Sequence, residues 1–112
     1  MALRSGNVGR DGREGSRVTS GTTLLTSLPS GFVLRAPVPV EIHHGAVVTV
    51  RVTGTLVSVV GVNEADALAR LGREVAWWLL HEAPRHARGE LPKRMRVTVE
   101  KLLEMVVSPQ VG

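Results

Sequence analysis

Residues 63–83 read Asn-Glu-Ala-Asp-Ala-Leu-Ala-Arg-Leu-Gly-Arg-Glu-Val-Ala-Trp-Trp-Leu-Leu-His-Glu-Ala. Leu68, Leu71, Val75, Trp78, Leu79 and Glu82 recur at the i, i+3, i+4 spacing that places side chains on one face of a helix. Asn63 is a residue type that caps a helix by accepting from an early backbone N–H, and Glu64 and Asp66 set negative charge at the positive end of the helix dipole. Pro84 predicts the stop, because its ring disfavours the helical conformation at Ala83. The stretch is therefore expected to be one long helix with a single apolar face in need of cover.

The chain upstream supplies that cover. In residues 38–43, Val38, Val40 and Ile42 alternate with Pro39, Glu41 and His43, the period of a half-buried strand. Pro39 cannot donate to a ladder, so it belongs at an edge or a strand start. His44-Gly45 reads as a hairpin turn. Residues 46–53 make a second strand with Val48, Val50 and Val52 on one face, and Gly54-Thr55 the next turn. Residues 56–60 make a third strand. Residues 32–34, between Gly31 and Pro37, are a small strand or an extended lead-in. Downstream of the helix, residues 85–94 form a basic connector with two breakers, and a short second helix is expected at about residues 97–107. The expected fold is α+β: a three-stranded antiparallel meander covered by one long helix, with a short C-terminal helix. Its core would be Val40, Ile42, Val48, Val50, Leu56, Leu68, Leu71, Val75 and Leu79.

Composition bounds the rest. The 112 residues suggest one domain, and 43% hydrophobic residues suffice for a core. Residues 1–21 are rich in Gly, Ser and Arg with isolated apolar positions, which predicts a disordered basic arm ahead of a single domain at 22–112. No apolar run approaches the roughly 18 residues of a membrane span, and the first twenty residues lack the apolar region of a secretory signal. The chain has no cysteine, which removes disulfides and thiolate metal sites and fits a reducing, cytoplasmic compartment. The formal net charge of +4 permits a nucleic-acid or acidic-protein partner.

Two stretches carry a family resemblance. Leu28-Pro29-Ser30-Gly31-Phe32 leads into the valine-rich strands, and Gly61-Val62-Asn63-Glu64-Ala65-Asp66-Ala67-Leu68 opens the helix. The pattern, over roughly residues 28–107, resembles the HicB-like antitoxin family, with Asn63 and Asp66 standing where that family has a capping Thr and a Glu. The resemblance implies a partial RNase H-like fold without catalysis. It implies a protein that neutralises a small ribonuclease toxin, or a standalone relative with no toxin partner. Residues 94–107 also resemble the strand and first helix of a ribbon-helix-helix, but that module needs a second helix, so a packing helix is the favoured reading.

Catalytic signatures are not expected here. His81-Glu82 is followed by Pro84 and Arg85 where a His-Glu-x-x-His zinc motif needs an unbroken helix and a second His. His43 and His44 are adjacent on a strand and point to opposite faces. The carboxylates are scattered, and there is neither a nucleophile elbow nor a phosphate-binding loop. We therefore expect no enzyme, no cofactor and no resident metal. Two groups of residues remain as candidate sites. At about 100° per residue, Arg73, Trp77, Leu80 and His81 fall opposite the core stripe of the long helix. Trp beside Leu, rimmed by Arg and His, is the composition of an interface anchor, for a second copy or a toxin-like protein. Alternatively the C-terminal helix folds back over this face, although its shortness favours the interface. The other group belongs to the densest cationic cluster, Arg85, Arg88, Lys93, Arg94 and Arg96, a candidate phosphate-contacting loop centred on Arg85, Arg88, Lys93 and Arg94. The function classes in play are thus a protein-binding module, a small nucleic-acid-binding protein and a structural subunit of a larger assembly.

Overall fold

The structure, a computed structural model, describes residues 19–107. Its elements are strands β1 (Thr19–Leu25), β2 (Val38–His44), β3 (Val48–Arg51) and β4 (Ser58–Gly61), followed by helices α1 (Glu64–Ala87) and α2 (Lys93–Met105). The strands form one antiparallel sheet in the order β1-β2-β3-β4. The chain is thus α+β, as expected, but the sheet has four strands rather than three. The additional strand lies where the arm was expected to end. Residues 19–21 pair with Ile42, His43 and His44. Residues 1–18 of the expected arm lie outside the described residues. β1 escapes a hydrophobic-period reading because only Leu25 of its seven residues is buried. Its place is set instead by the backbone ladder, which pairs it with β2 along its whole length.

Register builds the core face. Ile42 lies opposite Val50, and Val50 opposite Val59, so three strands present apolar side chains on the same side. Val38, Val40, Ile42, Val48 and Val50 are buried there, with Val52 and Val57 from the β3–β4 connection. Pro39 is tolerated near the start of β2 because the β3 pairing reaches only Glu41 to His44, which leaves β1 as its sole neighbour. The β3–β4 turn is longer than expected. Thr55, itself buried, donates its hydroxyl to the Val52 carbonyl (2.8 Å) and accepts from the Val57 N–H (3.0 Å). These bonds delay the strand to Ser58 and reverse the expected parity. Val57 enters the core, and Leu56, expected in the core, is 44% exposed.

The start of α1 is closed by a reciprocal cap. Asn63 Oδ1 accepts from the Asp66 N–H (2.8 Å), and Asp66 Oδ2 accepts from the Val62 N–H (2.9 Å). Ala67, Leu71, Val75 and Leu79 are buried against the sheet, while Leu68 is half-buried at the margin of the cluster. The helix does not stop at Pro84 but runs to Ala87. Pro84 sits on the exposed side, where the carbonyl it leaves without an intrahelical donor can turn to water. The true end is a glycine cap. Gly89, at φ +73°, donates to the His86 carbonyl (2.9 Å), and Glu90 donates to the Arg85 carbonyl (3.0 Å).

α2 begins at Lys93, earlier than the expected 97, and buries Thr98, Val99 and Leu102. Thr98 Oγ1 accepts from the Leu56 N–H (3.0 Å), tying α2 to the β3–β4 turn. After the helix, Val106 bridges Leu34, with the Arg35 N–H on the Met105 carbonyl (2.9 Å) and the Val107 N–H on the Val33 carbonyl (2.8 Å). The extended segment expected at 32–34 is therefore one bridge to the end of α2 rather than a strand of the sheet.

Three outcomes test this account. Leu71 is fully buried, so Leu71→Ala should cost about 2–5 kcal/mol in chemical denaturation. A Cβ on Gly61 would lie 2.5 Å from the Ala67 nitrogen, so Gly61→Ala should lower the melting temperature, while Gly21→Ala, whose Cβ would meet nothing nearer than Ile42 Cγ2 at 4.0 Å, should have little effect. The third concerns acid. The Val62 N–H, then the Arg70 guanidinium, hold the Asp66 carboxyl below its ordinary value of 3.8. A depressed carboxyl contributes stability that is present above the unfolded value and is lost as pH falls through the folded one. Asp66→Asn should therefore melt lower than wild type at pH 7, with the gap closing below pH ~4.

Candidate functional site

α1 lies against β4 and β3 on one side and α2 on another. The 3.6-residue period that sends Leu71, Val75 and Leu79 to the core turns Trp77 and Leu80 away from it. Trp77 is 46% exposed and Leu80 52% exposed; α2 covers neither. Trp77 is nevertheless positioned by neighbours on its own helix. Its ring lies 5.1 Å from that of His81, tilted by 37°, and 6.4 Å from Trp78 in an edge-on arrangement. Trp78 itself is buried and donates its indole N–H to Glu74 (3.3 Å). One tryptophan of the pair is thus anchored in the core and the other is presented to solvent beside it.

Trp77 also borders a groove. Between α1 and β4 lies a cleft of about 440 Å³ lined by Val59, Val60, Arg70, Arg73, Glu74 and Trp77. Arg70 is held by Asp66 (3.0 Å). Arg73 has no carboxylate within ion-pair distance among the described residues. Val60 (50% exposed) and Val62 (78% exposed) extend the apolar surface from the groove along the outer edge of the sheet. The four residues expected on the outer face of α1 thus share one exposed surface, and the β4 edge joins them. No residue of β4 is among the expected site residues, although the expected meander already makes its last strand an edge.

The second group, Arg85, Arg88, Lys93 and Arg94, divides into two electrostatic halves. Arg85 pairs with the buried Glu82 (3.1 Å) and approaches Glu90 (3.8 Å). Arg88 grips Glu90 through two bonds of 2.7 and 3.2 Å. That pairing holds the Glu90 carboxyl below its usual range and raises the Arg88 guanidinium above its own. Lys93 and Arg94 are exposed on the first turn of α2 and have no ion-pair partner among the described residues. The connector is therefore not a continuous cationic patch. Sequence spacing alone does not reveal this, because Glu90 meets both arginines only through the turn that Gly89 makes.

The open face of the sheet carries a polar ladder that periodicity does not reveal. Ser20 Oγ lies 2.8 Å from His43 Nδ1, His43 Nε2 lies 4.0 Å from Glu41, and Glu41 accepts from Arg51 (3.0 Å). Arg51 first of all depresses the Glu41 carboxyl. These bonds tie β1, β2 and β3 side chain to side chain on an exposed surface. His43 and His44 do point to opposite faces, His44 approaching Glu64 at the start of α1 (3.8 Å). Among the described residues no three His, Asp, Glu or Cys side chains gather closely enough to hold a metal ion, and no helix is long and apolar enough to cross a membrane. No protein-family model, curated protein or solved structure matches the chain.

Proposed function

We propose that this chain is a non-catalytic protein-binding module that receives its partner on the outer face of α1. The observation that carries the reading is Trp77, a large aromatic side chain 46% exposed on a long helix, beside an exposed Leu80 and an Arg73 with no ion pair among the described residues. Interfaces are enriched in Trp and Arg, and their strongest contacts come from aromatic anchors already fixed before binding. Trp77 meets that condition, since its contact with the tilted His81 ring limits the side-chain freedom left to lose. In its narrowest form the module is an antitoxin of the HicB-like kind, masking a small ribonuclease toxin. This form draws on the helix start at Gly61–Leu68 and on the three valine-bearing strands and helix β2, β3, β4 and α1 that follow one another as the resemblance implies.

Nucleic acid is the weaker partner class. Glu82 and Glu90 already neutralise Arg85 and Arg88, so Lys93, Arg94 and Arg96 are what the expected cluster leaves for phosphates among the described residues. Binding that rests on so few phosphate contacts is weak at physiological salt.

Trp77→Ala tests the module. The variant should melt as wild type does, because the side chain lies outside the core, while the affinity of any protein partner falls by about tenfold or more. For the antitoxin form, the partner to use is a small basic protein encoded beside this chain. Wild type should suppress its cleavage of RNA at equimolar ratio, and Trp77→Ala should not. A variant that captures the same partners with the same affinity removes the α1 face as the binding surface.

A further inference from the structure

The geometry points to a second copy of this chain as the occupant of the α1 face, joined through the free edge of β4 to make a continuous eight-stranded sheet across a two-fold axis. The inference rests on the protein-binding reading above and names the partner.

β4 is the last strand of the sheet, so one side of its backbone has no ladder partner among the described residues. Proteins protect such edges by keeping the strand very short or with charge, proline, bulges or a covering element, and of these β4, at four residues, has the shortness. Residues 58–62 are Ser-Val-Val-Gly-Val and carry none of the protective residue types. The strand instead carries an exposed Val60, and an exposed Val62 follows it. A free, apolar, uncharged edge is a template for another strand.

Antiparallel pairing restricts how β4 can meet itself. Residues directly opposite must lie on the same face of the sheet. Val60 faces the open side with Thr49, and Val59 faces the helices with Val50. A two-fold axis must therefore pass through a residue rather than between residues. An axis through Val60 sets Val60 against its copy and Ser58 against the partner's Val62, which covers both exposed valines. The same axis brings the two α1 helices side by side and antiparallel over the joined sheet, because α1 packs foremost on β4.

Charge then complements. The groove beside β4 holds Arg73 and Glu74 at adjacent positions of α1. Among the described residues Arg73 has no ion pair, and the one side-chain hydrogen bond of Glu74 is from the indole of Trp78. Two antiparallel copies of α1 set Arg73 of each against Glu74 of the other, and Trp77 closes the groove from both sides. A contact in which the same patch serves both partners is the ordinary form of a two-fold dimer.

Sedimentation velocity over a wide concentration range tests this with the full chain. Wild type should sediment as a dimer. Val60→Lys and Trp77→Ala should each raise the dissociation constant by about tenfold or more at unchanged circular dichroism. The decisive arm uses charge reversal. Arg73→Glu and Glu74→Arg should each self-associate poorly, since each variant places like charges across the axis. An equimolar mixture of the two should recover dimer, since every like pair then becomes an opposite pair. A monomeric wild type, or a mixture no better than its components, overturns the second-copy assignment. If wild type is monomeric but Trp77→Ala loses a different protein partner, the binding module stands and only this occupant falls. If both measurements show no association, the module falls with it.

Discussion

The junction between β4 and α1 is the constraint on which the rest depends. A Cβ on Gly61 would stand 2.5 Å from the Ala67 nitrogen and 2.7 Å from its Cα, so strand and helix meet backbone to backbone with nothing between them. The approach is held by Asn63 and Asp66, each accepting from a backbone N–H that the helix start would otherwise leave bare. This junction sets where α1 lies on the sheet. With α1 fixed there, Leu71, Val75 and Leu79 reach the valines of β2 and β3, and the opposite side of the helix is committed to solvent or to a partner.

How far the sequence reveals the fold depends on what holds each element. β2, β3 and α1 are legible because burial holds them, and burial leaves a period of two or of 3.6 in the residues. β1 is held by backbone hydrogen bonds to β2 and by side-chain ties at Ser20 and Thr23, the latter donating to Glu64 (2.7 Å). None of these leaves an apolar pattern, so a polar strand resembles a tail. The exchange of Leu56 for Val57 has a related cause. The Thr55 hydroxyl lengthens the turn by a local bond, and one residue of delay moves every later side chain to the other face. Pro84 misleads for the opposite reason. Its penalty depends on whether the freed carbonyl can find water, and on the exposed side of α1 it can.

The candidate surface divides along the same line. Trp77 and Leu80 could be placed outside the core because they share the helix whose period placed Leu71 and Leu79 inside it. The fate of the basic connector could not, because ion pairing depends on a turn rather than a repeat. Gly89 at φ +73° folds Glu90 back onto Arg85 and Arg88, and the carboxylate that neutralises them is adjacent only in space. The contribution of β4 follows from topology rather than from its own residues. A meander of consecutive strands leaves its last strand at an edge, and β4 holds that place in the four-stranded order.

The position of α2 explains why the α1 face stays open. A second amphipathic helix of 13 residues would be the natural cover for Trp77 and Leu80. Its apolar side is already engaged: Val99 and Leu102 are buried in the common core, and Thr98 accepts from Leu56 at the β3–β4 turn. At its far end the bridge from Val106 to Leu34 fixes it from the other side. His86 near the end of α1 lies 3.7 Å from Glu100, which joins the two helices along a flank away from Trp77. α2 is thus spent on sealing the turn end of the sheet, which an extended loop with its own backbone groups could not seal alone. Among the described residues nothing covers the outer face of α1 or the outer edge of β4, so Trp77, Leu80, Val60 and Val62 stay exposed because the helix that could have screened them is held at the turn end of the sheet.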